Sequence, residues 1–119
     1  MNKIIISTII ILLLDYIYIL IIQNRFNDQI FSIQNSNPSI RILGAIICYV
    51  LLIFAINYFI ISNNKSPIDA FLLGLVIYGV YDSTNYATIT NWTATFSCID
   101  TIWGGILFGL TTHFTYLIK

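Results

Sequence analysis

The sequence predicts an all-α membrane protein, a four-transmembrane-helix antiparallel bundle forming a single domain over residues 1–119, and three observations carry that prediction. Hydrophobic residues make up 58% of the 119 positions and charged residues only 8%, too few polar side chains to cover a surface that faces water. Four apolar stretches, at residues 4–22, 42–61, 68–89 and 96–117, each approach the ~20 residues that cross ~30 Å of hydrocarbon at ~1.5 Å per residue. Nothing alternates apolar with polar residues as a membrane-barrel strand does, and irregular backbone facing lipid would leave its N–H and C=O groups without partners.

The first stretch follows Met1-Asn2-Lys3 and imitates a signal peptide. No small-x-small cleavage site follows, and Asp15-Tyr16 interrupts the apolar run, so an uncleaved first span is expected. Residues 23–41 form the one long connection, rich in Asn, Gln and Ser and containing Pro38. Within it Phe26, Ile30 and Ile33 recur at helical spacing, as in a segment lying on the interface as a lid over the bundle. An ordinary solvated connector is the simpler expectation there. The second, third and fourth spans are joined by residues 62–67 and 90–95, short enough to make antiparallel neighbours, and Pro67 suits the first turn of the third helix. Lys3, Lys65 and Lys119 fall on the N-terminal side and Arg25 and Arg41 on the other, a bias that places both termini in the cytoplasm.

Five basic and five acidic residues cancel, and no Lys/Arg run is present; the chain therefore lacks the electrostatic footprint of a nucleic-acid binder. Its partner is the lipid bilayer. Cys48 and Cys98 both fall within spans, where a thiol serves as a small apolar packing residue more often than as half of a bridge. The sequon Asn91-Trp92-Thr93 lies in a loop too close to the membrane for glycan transfer. Trp92, Tyr58 and Tyr116 sit near span ends, where aromatic rings anchor helices at the headgroups.

Asp15, Asp82 and Asp100 are the informative residues. A carboxylate at the centre of a bilayer helix costs about 2.5–3.5 kcal/mol even on a lenient insertion scale, so such groups face a bundle interior and commonly serve function. Counted from the span ends nearest the first and third loops, the three lie about four to seven residues deep, roughly 6–10 Å. Tyr49 reaches the same level from the second span, so every helix contributes one polar group to a single layer. On the third helix Tyr78, Asp82 and Asn85 share a face with Tyr81 and Thr84 beside it, and on the fourth Asp100, Trp103, Gly104 and Leu107 share another. Gly105 with Gly109, and Ala70 with Gly74, form small-xxx-small pairs that let backbones approach. Three carboxylates in low dielectric cannot all stay charged unless a cation joins them, and no Lys or Arg lies within any span to do so. Asp82 and Asp100 are the candidate ligands if that cation is a metal; His113, at the other end of its helix, is too far away to join them.

The segment from Gly74 through Tyr78, Tyr81-Asp82-Ser83-Thr84-Asn85 and Ala87-Thr88, then Trp92 and Asp100-Thr101-Ile102-Trp103-Gly104, resembles a family of small predicted membrane proteins catalogued as domain of unknown function 2177. The family pattern reads Y-x-x-Y-D-[apolar]-T-N-x-A-T, then W, then D-x-x-W-G, with an aspartate in the first span that Asp15 matches. Ser83 replaces an apolar residue, Thr93 stands where proline often follows the tryptophan, and Tyr18 stands where the first span tends to carry tryptophan. The resemblance covers essentially the whole chain and implies a four-helix integral membrane protein with no established activity or cofactor.

Three functions fit these residues. The first is an acidic intramembrane pocket that binds or passes protons, a cation or a cationic small ligand, in a homo-oligomer whose subunit boundaries supply the path that four short helices cannot enclose. The second is a lipid-modifying enzyme using paired carboxylates as acid and base or as ligands of a hard metal. The third is an assembly protein in which the polar layer only fixes helix register, since buried Asp, Asn and Thr also act as interhelical glue worth about 0.6 kcal/mol per contact. The sequence assigns neither a catalytic residue nor a cofactor.

Overall fold

In a computed structural model, which describes residues 2–118, the chain is helical throughout: α1 (Lys3–Gln34), α2 (Ile42–Phe59), a 3-10 turn (Ile61–Asn63), α3 (Pro67–Thr88) and α4 (Ala94–Ile118). Each boundary has a local cause. The Asn2 side chain accepts the Ile4 N–H and caps α1, which ends on Asn35 in the left-handed region at φ 57°, a conformation asparagine tolerates. Ser66 caps α3 by accepting the Asp69 N–H at 3.1 Å, with Pro67 in the first turn. Thr93 caps α4 by accepting the Phe96 N–H at 3.2 Å.

Three segments are long and apolar enough to cross a membrane: α1, Ile42–Asn63 and α4. α3, at 22 residues, has the length; its Tyr, Asp, Ser, Thr and Asn side chains lower its hydropathy. The distribution of side chains supports a lipid surround. Ile21, Ile42 and Leu43 are more than 70% exposed, while Ser7, Asp82, Thr111, Thr112 and Thr115 are buried, the reverse of a water-soluble domain.

α3 and α4 make the closest contact. A Cβ on Gly74 would collide with the Gly104 carbonyl, and one on Gly104 would collide with the Tyr78 ring, so at this crossing only glycine lets the backbones meet. Farther along, Phe71 fills the space beside Gly105 and Gly109. Both small-xxx-small pairs expected from the sequence therefore lie in this seam. Contacts between α1 and α4 pair Lys3 with Tyr116, Asp15 with Trp103, Tyr18 with Asp100, and Phe26 with Phe96, so residue numbers rise in one helix as they fall in the other. The same holds for α1 and α2, where Ser7 bonds Asn57 and Asp15 bonds Tyr49.

The expected connector at 23–41 is corrected by this fold. Residues 23–34 continue α1 without a break, and only residues 35–41 are irregular. Ser7, Ile11, Asp15, Tyr18, Ile22, Phe26 and Gln29 follow one face at steps of three and four residues, and all are buried or half-buried, so the inward stripe runs through the polar end of the helix. Helix α1 reaches ~48 Å, well beyond the ~30 Å of hydrocarbon.

Candidate functional site

Helix α1 supplies the first carboxylate. Asp15 is buried, and both its oxygens are occupied: the Tyr49 hydroxyl of α2 donates to Oδ2, and the Trp103 indole Nε1 of α4 donates to Oδ1 at 3.0 Å. One turn along the same stripe, the Tyr18 hydroxyl donates to Asp100 Oδ1 at 2.9 Å, and its ring stacks on Trp103 with centroids 4.7 Å apart and planes within 5°. Helices α1, α2 and α4 are thus joined through one aromatic and carboxylate cluster.

Asp82 lies on the other side of α4, 1% exposed. Thr101 Oγ1 donates to its Oδ2 at 3.4 Å, and Ser97 Oγ donates to its backbone carbonyl at 3.5 Å. Its Oδ1 is buried without a partner. The Asp100 carboxyl is the neighbouring acid of Asp82 across the α3–α4 seam. Neither α2, α3 nor α4 contains a lysine or arginine, and the one histidine, His113, lies thirteen residues beyond Asp100 on α4, so no lysine or arginine on these three helices compensates the pair.

The sequence-predicted residues divide into two sets. Asp15, Tyr49, Asp82, Asp100 and Trp103 belong to the cluster or adjoin it, and Tyr78 lays its ring over Gly104. Tyr81 turns outward, its ring edge-on to Trp92 at 5.9 Å. Thr84 is exposed and Asn85 half-buried; among the described residues none of Tyr78, Tyr81, Thr84 or Asn85 donates to an aspartate. Tyr18 and Thr101 were missed as partners. Tyr18 was readable, because it lies three residues from Asp15 on the same helix face; Thr101 was not, because which side of α4 meets α3 depends on helix rotation. No group of three or more His, Cys, Asp or Glu side chains able to hold a metal is present among the described residues. Cys48 and Cys98 are free thiols, both exposed.

Above the cluster, the far end of α1 grips the α3–α4 turn. Gln29 is buried, and its Oε1 accepts both the backbone N–H and the hydroxyl of Thr93 at 2.7 Å, while Asn91 Nδ2 donates to the Ser32 carbonyl at 2.7 Å. A proline at position 93 would have no N–H to give. Trp92 is 4% exposed between Tyr81 and Phe96, which corrects the expectation of a headgroup anchor: α1 covers the turn and turns the indole into core. On the outer side of the α3–α4 seam an open groove of about 430 Å³ is lined by small residues, among them Gly79, Ser83, Ser97 and Thr101. Thr101 belongs both to this groove and to the Asp82 contact.

A family model described as a predicted membrane protein of unknown function, DUF2177, matches residues 1–117. The chain belongs to this family. No curated protein and no solved structure matches it. The two corrections above, at 23–34 and at Trp92, are therefore findings about a DUF2177 chain whose membrane character the family description shares.

Proposed function

We propose that this DUF2177 protein crosses the membrane four times as an antiparallel bundle, with both termini on the cytoplasmic side, and that its Asp82–Asp100 pair takes up positive charge, a proton or a small cation, inside the membrane. The observation that carries this reading is the buried, unpartnered Asp82 Oδ1 beside a second carboxyl, with no lysine or arginine on α2, α3 or α4. A buried carboxylate pair without a counter-charge is costly, and a bound proton or cation removes that cost. The opposite-running contacts of α1 with α2 and α4 support the antiparallel arrangement, and the length of α3 supports its crossing. The groove that reaches Thr101 offers a route to Asp82 from the side, open to lipid or to a second copy in a homo-oligomer. Asp15, whose oxygens are both filled, positions α1, α2 and α4 rather than receiving the ion.

The test is flux. Native protein and Asp82→Asn are reconstituted in liposomes, and proton and monovalent-cation fluxes are followed with entrapped dyes. The native chain is expected to conduct and the variant to lose at least tenfold; equal rates in the two remove the transport reading. Infrared difference spectra separate binding from passage, since a carboxylic acid C=O band present in the native protein and lost in Asp82→Asn reports a held proton.

The same groove gives a second reading its support. A lipid-like substrate seated there would lie against Thr101, one hydrogen bond from Asp82, as a carboxylate-based membrane enzyme requires. Lipid products that accumulate with the native chain and not with Asp82→Asn would favour this reading over flux.

A further inference from the structure

Between the first turn of α1 and α2 lies an open groove of about 660 Å³ that starts at the end of the bundle remote from the aspartates and runs along α2 as far as Val50, next to Tyr49; its volume is within the range of ligand-sized sites. Its walls are apolar along α2, from Val50 through Ile53 and Phe54 to Ile61, and its mouth carries Lys3, Ser62 and Asn64. From Val50 to Ile61 the helical rise is ~16 Å, the depth of one leaflet in a ~30 Å hydrocarbon core. A cation at the rim above a leaflet-deep apolar channel is the complement of an anionic amphiphile.

Charge at this end favours the same occupant. The Lys3 ammonium lies 5.5 Å from the centre of the Tyr116 ring, and the Tyr116 hydroxyl donates to the Lys65 carbonyl at 2.7 Å, so α4 draws two lysine-bearing segments to one edge. A ring covers one side of an ammonium and leaves other N–H bonds free for phosphate oxygens. Among the described residues, the acidic one at this end, Asp69, belongs to the first turn of α3 and does not line the groove. The groove floor is fixed, because Asn57 is tied to Ser7 of α1 by reciprocal hydrogen bonds of 3.1 and 3.2 Å.

We propose that this α1–α2 groove is a specific site for an anionic phospholipid, one acyl chain lying along α2 and the headgroup phosphate meeting Lys3. The site is separate from the Asp82–Asp100 pair and stands or falls without it.

The experiment is native mass spectrometry of the purified protein mixed with equal amounts of phosphatidylglycerol and phosphatidylcholine. The native chain is expected to retain phosphatidylglycerol about fivefold better, the preference one lysine confers near an anionic headgroup. Lys3→Gln should bring the two lipids level, and Val50→Trp, which fills the deep end from a position 57% exposed, should lose both adducts. Equal retention by the native protein overturns the site. So does a preference that survives Lys3→Gln, or adducts that survive Val50→Trp. Because neither position is buried, both variants keep the bundle, which the elution volume in the same detergent verifies.

Discussion

Replacing Gly74 with alanine tests the packing that brings Asp82 to Asp100. The new Cβ would strike the Gly104 carbonyl and approach Phe108 Cβ at 2.9 Å; the first obstacle is backbone and cannot rotate away, so α3 must back off from α4. Overpacking of this kind costs about 1–3 kcal/mol, and the upper end applies where no side chain can yield. Alanine returns at most about 1 kcal/mol of helix propensity, leaving a net loss near 2 kcal/mol, about a 30-fold shift in the folding equilibrium. Two controls set the scale. At Gly79 the new Cβ would meet Thr101 Cγ2 at 3.4 Å, an ordinary contact, and at Gly44 it would meet nothing within 4 Å. Gly79→Ala should be close to neutral, and Gly44→Ala neutral or stabilising by up to about 1 kcal/mol. Unfolding in mixed micelles of rising dodecyl sulfate content, followed by tryptophan fluorescence, measures all three. If Gly74→Ala unfolded at the same dodecyl sulfate fraction as Gly44→Ala, the close-approach argument for the seam would be wrong.

Tyr49→Phe and Trp103→Phe each remove one donor from Asp15; each should cost roughly 0.6–1.7 kcal/mol by the same unfolding titration, and the double variant more than the sum, because the carboxylate then has no partner. Gln29→Leu should release the α3–α4 turn without touching Asp15, raising amide hydrogen exchange at Thr93 about tenfold or more while the Trp103 fluorescence stays unchanged. With Cys48 and Cys98 replaced by serine, single cysteines at positions 2 and 118 should both react with a membrane-impermeant maleimide from the same side. Labelling from opposite sides would leave three crossings.

Asp15 and Tyr49 were legible as members of one layer, with Asp82 and Asp100, because residue depth along a helix is fixed by its rise, and depth is what a contact between helices needs. Their pairing was not, since two helices at one depth can still face different ways. Thr84 illustrates the gap: two residues from Asp82, it lies about 200° around the helix and ends up exposed, while the hydroxyl that Asp82 receives comes from Thr101 on a different helix. The continuation of α1 was signalled by Phe26, Ile30 and Ile33 at helical spacing, and the polar residues between them masked it. Asn27 and Asp28 among those residues lie on the exposed face of the helix, while Gln29 is turned inward to hold the turn. Gly74 and Gly104 were readable as small residues, but their direct opposition depends on the α3–α4 register that the short connection sets.

Helix α1 carries Asp15 and Tyr18 at mid-length and Gln29 near its far end, all on one line along the rod. A rigid twist about its axis of one residue step, ~100°, would withdraw every one of them together. The teeth of this key are cut in a row, so a rigid turn of the rod acts on the carboxyl cluster and the α3–α4 turn at once. A bilayer that thickens or thins tips an over-long rod, and whatever tilt results is delivered to both ends of that row at once.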